Sequence, residues 1–138
     1  MIGLIVITHG DLSRELVQTA EMIMGKQDNI ETITFTVKES LDSLRQSAKA
    51  AVDKYACEDG CLILTDIMGG SATNVCAELI KNDKVEVVTG VNLPMIIEAA
   101  VQRNMLNLKE LAAKIEQSGS KSIINFKEFF AKRASGKK

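Results

Sequence analysis

Apolar runs and helical stripes alternate along this chain. Ile2 to Thr8 is an unbroken apolar, β-branched run, as in a strand covered on both faces. From Asp11 to Met24, Leu12, Leu16, Val17, Ala20, Ile23 and Met24 recur at helical spacing, and Gly25 is placed to stop that helix. Ile30 to Val37 alternates as a second strand, and Leu41, Leu44, Ala48, Ala51, Val52 and Tyr55 form a second stripe that starts near Glu39 or Ser40. Gly60 to Thr65 reads as a third strand, and Gly69-Gly70-Ser71 opens a helix running to about Asn82. Val85 to Thr89 is a fourth strand. Pro94, the only proline, sits where a helix can begin, because its missing N–H costs nothing there. Leu108 to Ile115 is a further helix, stopped near Gly119, and Lys121 to Phe126 reads as a fifth strand.

This order predicts an α/β fold: an open, mostly parallel sheet in the order 2-1-3-4, with helices on both faces and a C-terminal edge strand. The apolar edge Ser122-Ile123-Ile124-Asn125-Phe126 needs cover, which a partner subunit could supply. Residues 1–126 are expected to form one domain, and 127–138, ending in Ser-Gly-Lys-Lys, a partly disordered tail.

Composition narrows the classes. The chain has 138 residues, a formal net charge of -1, 46% hydrophobic and 25% charged residues, an ordinary globular balance. Neither the charge nor the 4% aromatic content argues for a nucleic-acid partner. No apolar run is long enough to span a bilayer, and the apolar start lacks the basic flank and cleavage site of a signal peptide. No direct membrane insertion is expected. Cys57, Cys61 and Cys76 are odd in number and lack paired-motif spacing, so they read as reduced small hydrophobes in a cytoplasmic protein. One histidine and this cysteine spacing give no metal site, and no cofactor is expected.

That single histidine, His9, follows the first strand, and Asp66 follows the third. In open α/β sheets, ligands bind beyond the carboxyl ends of the strands, where the strand order reverses. If strands one and three are neighbours at that reversal, His9 and Asp66 share one crevice. A carboxylate accepting from one ring nitrogen fixes the tautomer and leaves the other nitrogen as a nucleophile. The Gly69-Gly70-Ser71 turn at a helix start can point N–H groups at an anion, and the hydroxyls of Thr8, Thr65 and Ser71 can add donors. Together these suit transient attachment of a phosphoryl group to His9. Each piece also has a plainer reading: a loop histidine, a tight turn, a capping aspartate. Asp11 reads as the N-cap of the first helix. Lys81, Lys84 and the terminal lysines read as solvated. Neither a Walker A lysine motif nor G-x-G-x-x-G is present, which argues against the common nucleotide-binding modes.

Thr8-His9-Gly10, Thr19-Ala20-Glu21-Met22, Gly25-Lys26-Gln27-Asp28-Asn29, Asp66-Ile67-Met68-Gly69-Gly70-Ser71 with Asn74, and Gly90-Val91-Asn92-Leu93-Pro94-Met95 occur in this order. With that order and spacing, the chain from Ile2 to about Phe126 resembles the enzyme IIA domain of the mannose family of the bacterial phosphoenolpyruvate-dependent sugar phosphotransferase system. The resemblance implies a phosphotransferase whose histidine, here His9, accepts phosphate at Nε2 from HPr and passes it to a IIB component. It implies that Asp66 orients Nδ1 and that Gly70 and Ser71 help hold the phosphoryl group. It also implies a homodimer that exchanges a C-terminal strand, here Lys121 to Phe126. Two positions depart from the family pattern: Ala72 where a proline is frequent, and Met68 where an aromatic is frequent. Met68, Leu93 and Met95 are candidates for a partner-facing rim or for core. The alternative is a regulatory module, in which phosphorylation of His9 governs which protein docks and no sugar is imported. An anion-binding protein with an inert His9 is a third reading.

Overall fold

The computed structural model describes residues 1–55 and 59–136, so Cys57 and the last two lysines lie outside it. Four strands, β1 (Gly3–His9), β2 (Ile30–Phe35), β3 (Cys61–Thr65) and β4 (Val85–Thr89), form one parallel sheet in the order β2-β1-β3-β4. Among the described residues six helices accompany them: α1 (Leu12–Met24), α2 (Leu41–Tyr55), α3 (Gly70–Leu79), α4 (Leu93–Gln102), α5 (Leu108–Lys121) and α6 (Phe126–Ala134). The expected strand order and two-sided helical cover are both present.

Both faces of the sheet are dry because side chains alternate along each strand. Leu4, Val6, Leu62 and Leu64 pack against Val17 and Ala20 of α1, Ile96 and Ala99 of α4, and Leu111 and Ile115 of α5. The alternate residues Ile5, Ile7, Cys61 and Ile63 pack against Leu44, Ala48 and Val52 of α2 and against Ala72, Val75 and Cys76 of α3. Burial pushes the Cys76 thiol up to about 11, so it stays protonated and behaves as a small apolar side chain. Gly60 leads into β3 at φ +83, and a Cβ there would stand 2.7 Å from the Lys84 carbonyl oxygen. No described helix is long and apolar enough to cross a membrane.

Helix starts follow local chemistry, except at α1 and α3, whose N-cap residues Asp11 and Gly69 make no side-chain cap bond. The Ser40 hydroxyl accepts the Ser43 N–H at 3.0 Å at the start of α2. Asn92 accepts the Met95 N–H at 3.1 Å ahead of Pro94 in the first turn of α4. Asn107 and Glu110 form a reciprocal capping box on α5. Asp11 occupies the N-cap position of α1 but does not cap it. The Thr8 hydroxyl accepts the Ser13 N–H at 2.6 Å instead, and the Asp11 carboxylate pairs with Arg14 at 2.8 Å.

The C-terminal region differs from the expectation. Residues 122–125 form no fifth strand, and the sheet has four. Helix α5 continues through Gly119 to Lys121, because that glycine is a point of close approach and not a stop. A Cβ there would stand 2.6 Å from Sδ of Met95 on α4. Asn125 then caps α6 by accepting the Glu128 N–H at 3.1 Å, so Phe126, expected to end a strand, instead begins a helix.

Candidate functional site

The sheet order reverses between β1 and β3: the chain moves outward from β1 to β2 on one side and from β3 to β4 on the other. His9 is the last residue of β1 and Asp66 is the first residue after β3. Nδ1 of His9 lies 2.9 Å from Oδ2 of Asp66, and the His9 N–H donates to the same oxygen at 3.0 Å. The Ile67 N–H donates to Oδ1 at 2.9 Å. Partial burial of Asp66 opposes its ionisation, but the hydrogen bonds from the His9 backbone and ring, the attraction of the ring and the Ile67 N–H outweigh it. They hold the carboxyl below the usual carboxylate value. Asp66 is therefore an anion at neutral pH, and an anion can only accept. The proton of the neutral ring sits on Nδ1, and Nε2 carries the free lone pair.

The ring is half exposed, while Asp66 is 14% exposed beneath it. Phe35, paired with His9 in the register of β1 and β2, places its ring 4.4 Å from the imidazole. His9 and Ser71 open on a pocket of about 260 Å³, closed by Val37, Leu41 and Leu44. Ser71 is in the first turn of α3, whose leading N–H groups have no partner within the helix. Gly69 and Gly70 take φ of +100 and +80, a turn that other residues adopt with strain. A helix N-terminus of this kind favours an anion by about 0.3–1 kcal/mol.

His9, Asp66 and Ser71 thus converge. The two expected threonine donors lie deeper. Thr8 is buried and its oxygen holds α1, while Thr65 is 1% exposed with its hydroxyl unpartnered. The Gly69 N–H is taken by Thr73, whose hydroxyl accepts it at 2.7 Å and donates back to the Gly69 carbonyl at 3.2 Å. Thr73 and Phe35 were not among the sequence candidates. The signals were a threonine four residues after a glycine pair and an aromatic at the end of the strand beside the histidine. Of the three rim candidates, Met68 is 78% exposed, Leu93 is half-buried against the core, and Met95 is core. Leu12, Val37, Leu41 and Ile67 are also exposed, and all follow strand ends on the His9 side.

Another cavity, about 590 Å³, lies at the opposite, amino ends of the strands beside Ile2, Lys84 and Arg103. Arg103 is buried there and donates to the carbonyls of Ile2, Asp28 and Asn29, tying the end of α4 to the strand entries. Its role is that of a strut. The His9 pocket is smaller, and its imidazole is half exposed at the rim.

Residues 3–116 match the model of the family EIIA-man, described as the PTS system fructose IIA component. The chain is 33% identical over 124 residues to the PTS system sorbose-specific EIIA component of Lacticaseibacillus casei, a match covering 87% of this chain and 89% of that protein. It is 32% identical over 124 residues to the PTS system mannose-specific EIIAB component of Escherichia coli K12, covering 88% of this chain but 38% of that longer protein. The crystal structure of phosphotransferase system component EIIA from Streptococcus agalactiae has a TM-score of 0.85 at 28% identity, covering 93% of this chain and 99% of that one.

Proposed function

From the premise that the chain belongs to the EIIA-man family of phosphotransferase-system IIA components, we propose that it carries a phosphoryl group on His9, accepting it from HPr and passing it to a IIB component. Nε2 attacks the phosphorus of the donor phosphohistidine in line. A new P–N bond forms at Nε2 as the donor's P–N bond breaks, and the donor ring, protonated at its other nitrogen, leaves as neutral imidazole. The Nδ1 proton stays between the ring and Asp66, so the charge that develops on the ring faces an anion. The amides of Gly70 and Ser71 receive the phosphoryl oxygens. IIB collects the group by the reverse chemistry.

The observation that carries this reading is the 2.9 Å contact between Nδ1 and the Asp66 carboxylate, which leaves Nε2 as the unengaged ring nitrogen. The exposed apolar side chains of Val37, Ile67 and Met68 form the surface on which HPr and IIB dock in turn. The carrier works in the cytoplasm as a homodimer in which residues 121–126 exchange between subunits. The regulatory alternative is not favoured, since the relatives at 32–33% identity are named as sugar-specific transport-system components.

The direct test uses purified enzyme I, HPr and labelled phosphoenolpyruvate. The wild type should acquire acid-labile label, and His9→Ala should acquire none while unfolding at the same temperature. Continued labelling of that variant refutes the site.

A further inference from the structure

The turn that opens α3 has little packed against it. Gly69 and Gly70 stand at φ +100 and +80, and a Cβ at either would meet nothing within 4 Å. Two successive glycines also leave the backbone unusually free to rotate. Met68 ahead of them is exposed, while Ala72 behind them is buried. The helix is thus anchored by its body, and packing does not fix the turn before it.

A hydroxyl clips that turn from behind. Oγ1 of Thr73 accepts the Gly69 N–H at 2.7 Å and donates to the Gly69 carbonyl at 3.2 Å. Asn92, Asn107 and Asn125 cap their helices from the residue ahead, but Gly69 has no side chain to do so. Here the bond comes from the fourth helical residue instead. A peptide unit is planar, with its C=O and N–H opposed. A Gly69 carbonyl held back towards Thr73 therefore turns the Gly70 N–H forward, off the helix end. Without the clip the glycine pair can rotate that unit, which brings an oxygen to the place of the donor. At a site that receives phosphoryl oxygens, the exchange replaces attraction by repulsion.

We propose that Thr73 is a positioning residue for phosphoryl transfer: its hydroxyl fixes the Gly69–Gly70 peptide plane so that the Gly70 and Ser71 amides face the group carried by His9. It acts through the backbone and not by contact with the phosphoryl oxygens. The inference rests on the phosphoryl-carrier reading of His9 and deepens it by naming what keeps the receiving amides in place. Water can replace a neutral hydrogen bond at the surface, so loss of the clip costs little stability. It lowers the fraction of molecules whose turn is correctly aimed, and the rate falls by that fraction.

The test compares Thr73→Val, which keeps the β-branched shape and loses both bonds, with Thr73→Ser, which keeps the hydroxyl. Amide hydrogen exchange at Gly69, read by NMR, should be about three- to tenfold faster in Thr73→Val than in the wild type or Thr73→Ser. In transfer from phosphorylated HPr, kcat should fall about three- to tenfold in Thr73→Val, with KM and melting temperature unchanged. Thr73→Ser should restore kcat to within about twofold of wild type. A wild-type kcat in Thr73→Val overturns the proposal, and so does Thr73→Ser as slow as Thr73→Val. A loss confined to KM also overturns it, since that makes Thr73 part of the docking surface. Each of these results, with a labelled wild type, defeats this inference alone. A wild type that takes no label from HPr defeats the carrier reading itself, and this inference with it.

Discussion

Replacing Asp66 by Ala removes the acceptor of three hydrogen bonds, and the three have different consequences. Those from the His9 and Ile67 N–H groups, at 3.0 and 2.9 Å, hold two loop backbones that water can resolvate. The third, at 2.9 Å from Nδ1, holds the ring itself. Without it the imidazole keeps only the Phe35 ring at 4.4 Å on one side, and nothing selects the tautomer with Nε2 unprotonated. The bond also strengthens as the ring gains positive charge, so its loss falls on the transition state. A hydrogen bond to a charged group contributes about 1.5–3 kcal/mol, so transfer should slow by about 10- to 150-fold. Stability should fall by only about 1 kcal/mol, since the freed donors lie near solvent. Asp66→Asn separates the causes. Its amide oxygen can still accept from Nδ1, so it retains the orientation and loses the charge, and its rate should lie between wild type and Ala. Rapid-quench measurement of transfer from phosphorylated HPr reads these rates, and thermal unfolding reads the fold. A rate for Asp66→Ala within twofold of wild type would refute the argument and leave the carboxylate a purely structural part.

Three further outcomes test the frame around the site. Thr8→Val keeps the shape but leaves the buried Ser13 N–H without its 2.6 Å acceptor; denaturant unfolding should show a loss of about 1–3 kcal/mol. Gly60→Ala puts a methyl group 2.7 Å from the Lys84 carbonyl oxygen at φ +83; the same measurement should show a loss of about 2–4 kcal/mol. Val37→Asp with Met68→Asp alters two exposed side chains, 99% and 78% accessible, beside His9; the KM for phosphorylated HPr should rise at least about tenfold with an unchanged melting temperature.

The sheet was legible because its strands are buried on both faces. Ile2 to Thr8 and Cys61 to Thr65 can hide such runs only in the middle of a parallel sheet, and these are the two central strands. The C-terminal segment Ser122-Ile123-Ile124-Asn125-Phe126 has strand composition, but a helix cap within it decides its structure. The pattern Asn125-Phe126-Lys127-Glu128 repeats the spacing of Asn107 and Glu110, where the same residue pair starts α5. Read that way, the helix start is visible in the chain. Gly119 was ambiguous for a different reason. A glycine that ends a helix and one that lets two helices touch look the same until Met95 is seen beside it.

The same limit governs the site. His9 and Asp66 were found because each follows a strand, and topology alone joins two strand ends at a reversal. Distances among hydroxyls follow no such rule. Thr8 and His9 are neighbours in sequence, yet alternation turns them to opposite faces of the sheet: Thr8 to α1, where its oxygen anchors Ser13, and His9 to Phe35 and the α3 side. A strand that ends in Thr-His can thus use one side chain to fasten the helix and the other to meet the reactant. The fastened helix in turn fixes the residue from which the histidine projects. By this argument Thr8 acts on transfer only through the fold. Thr8→Val should therefore lower the melting temperature while leaving the transfer rate of the folded protein within about twofold of wild type. A loss of rate without a loss of stability would place its hydroxyl at the phosphoryl group after all.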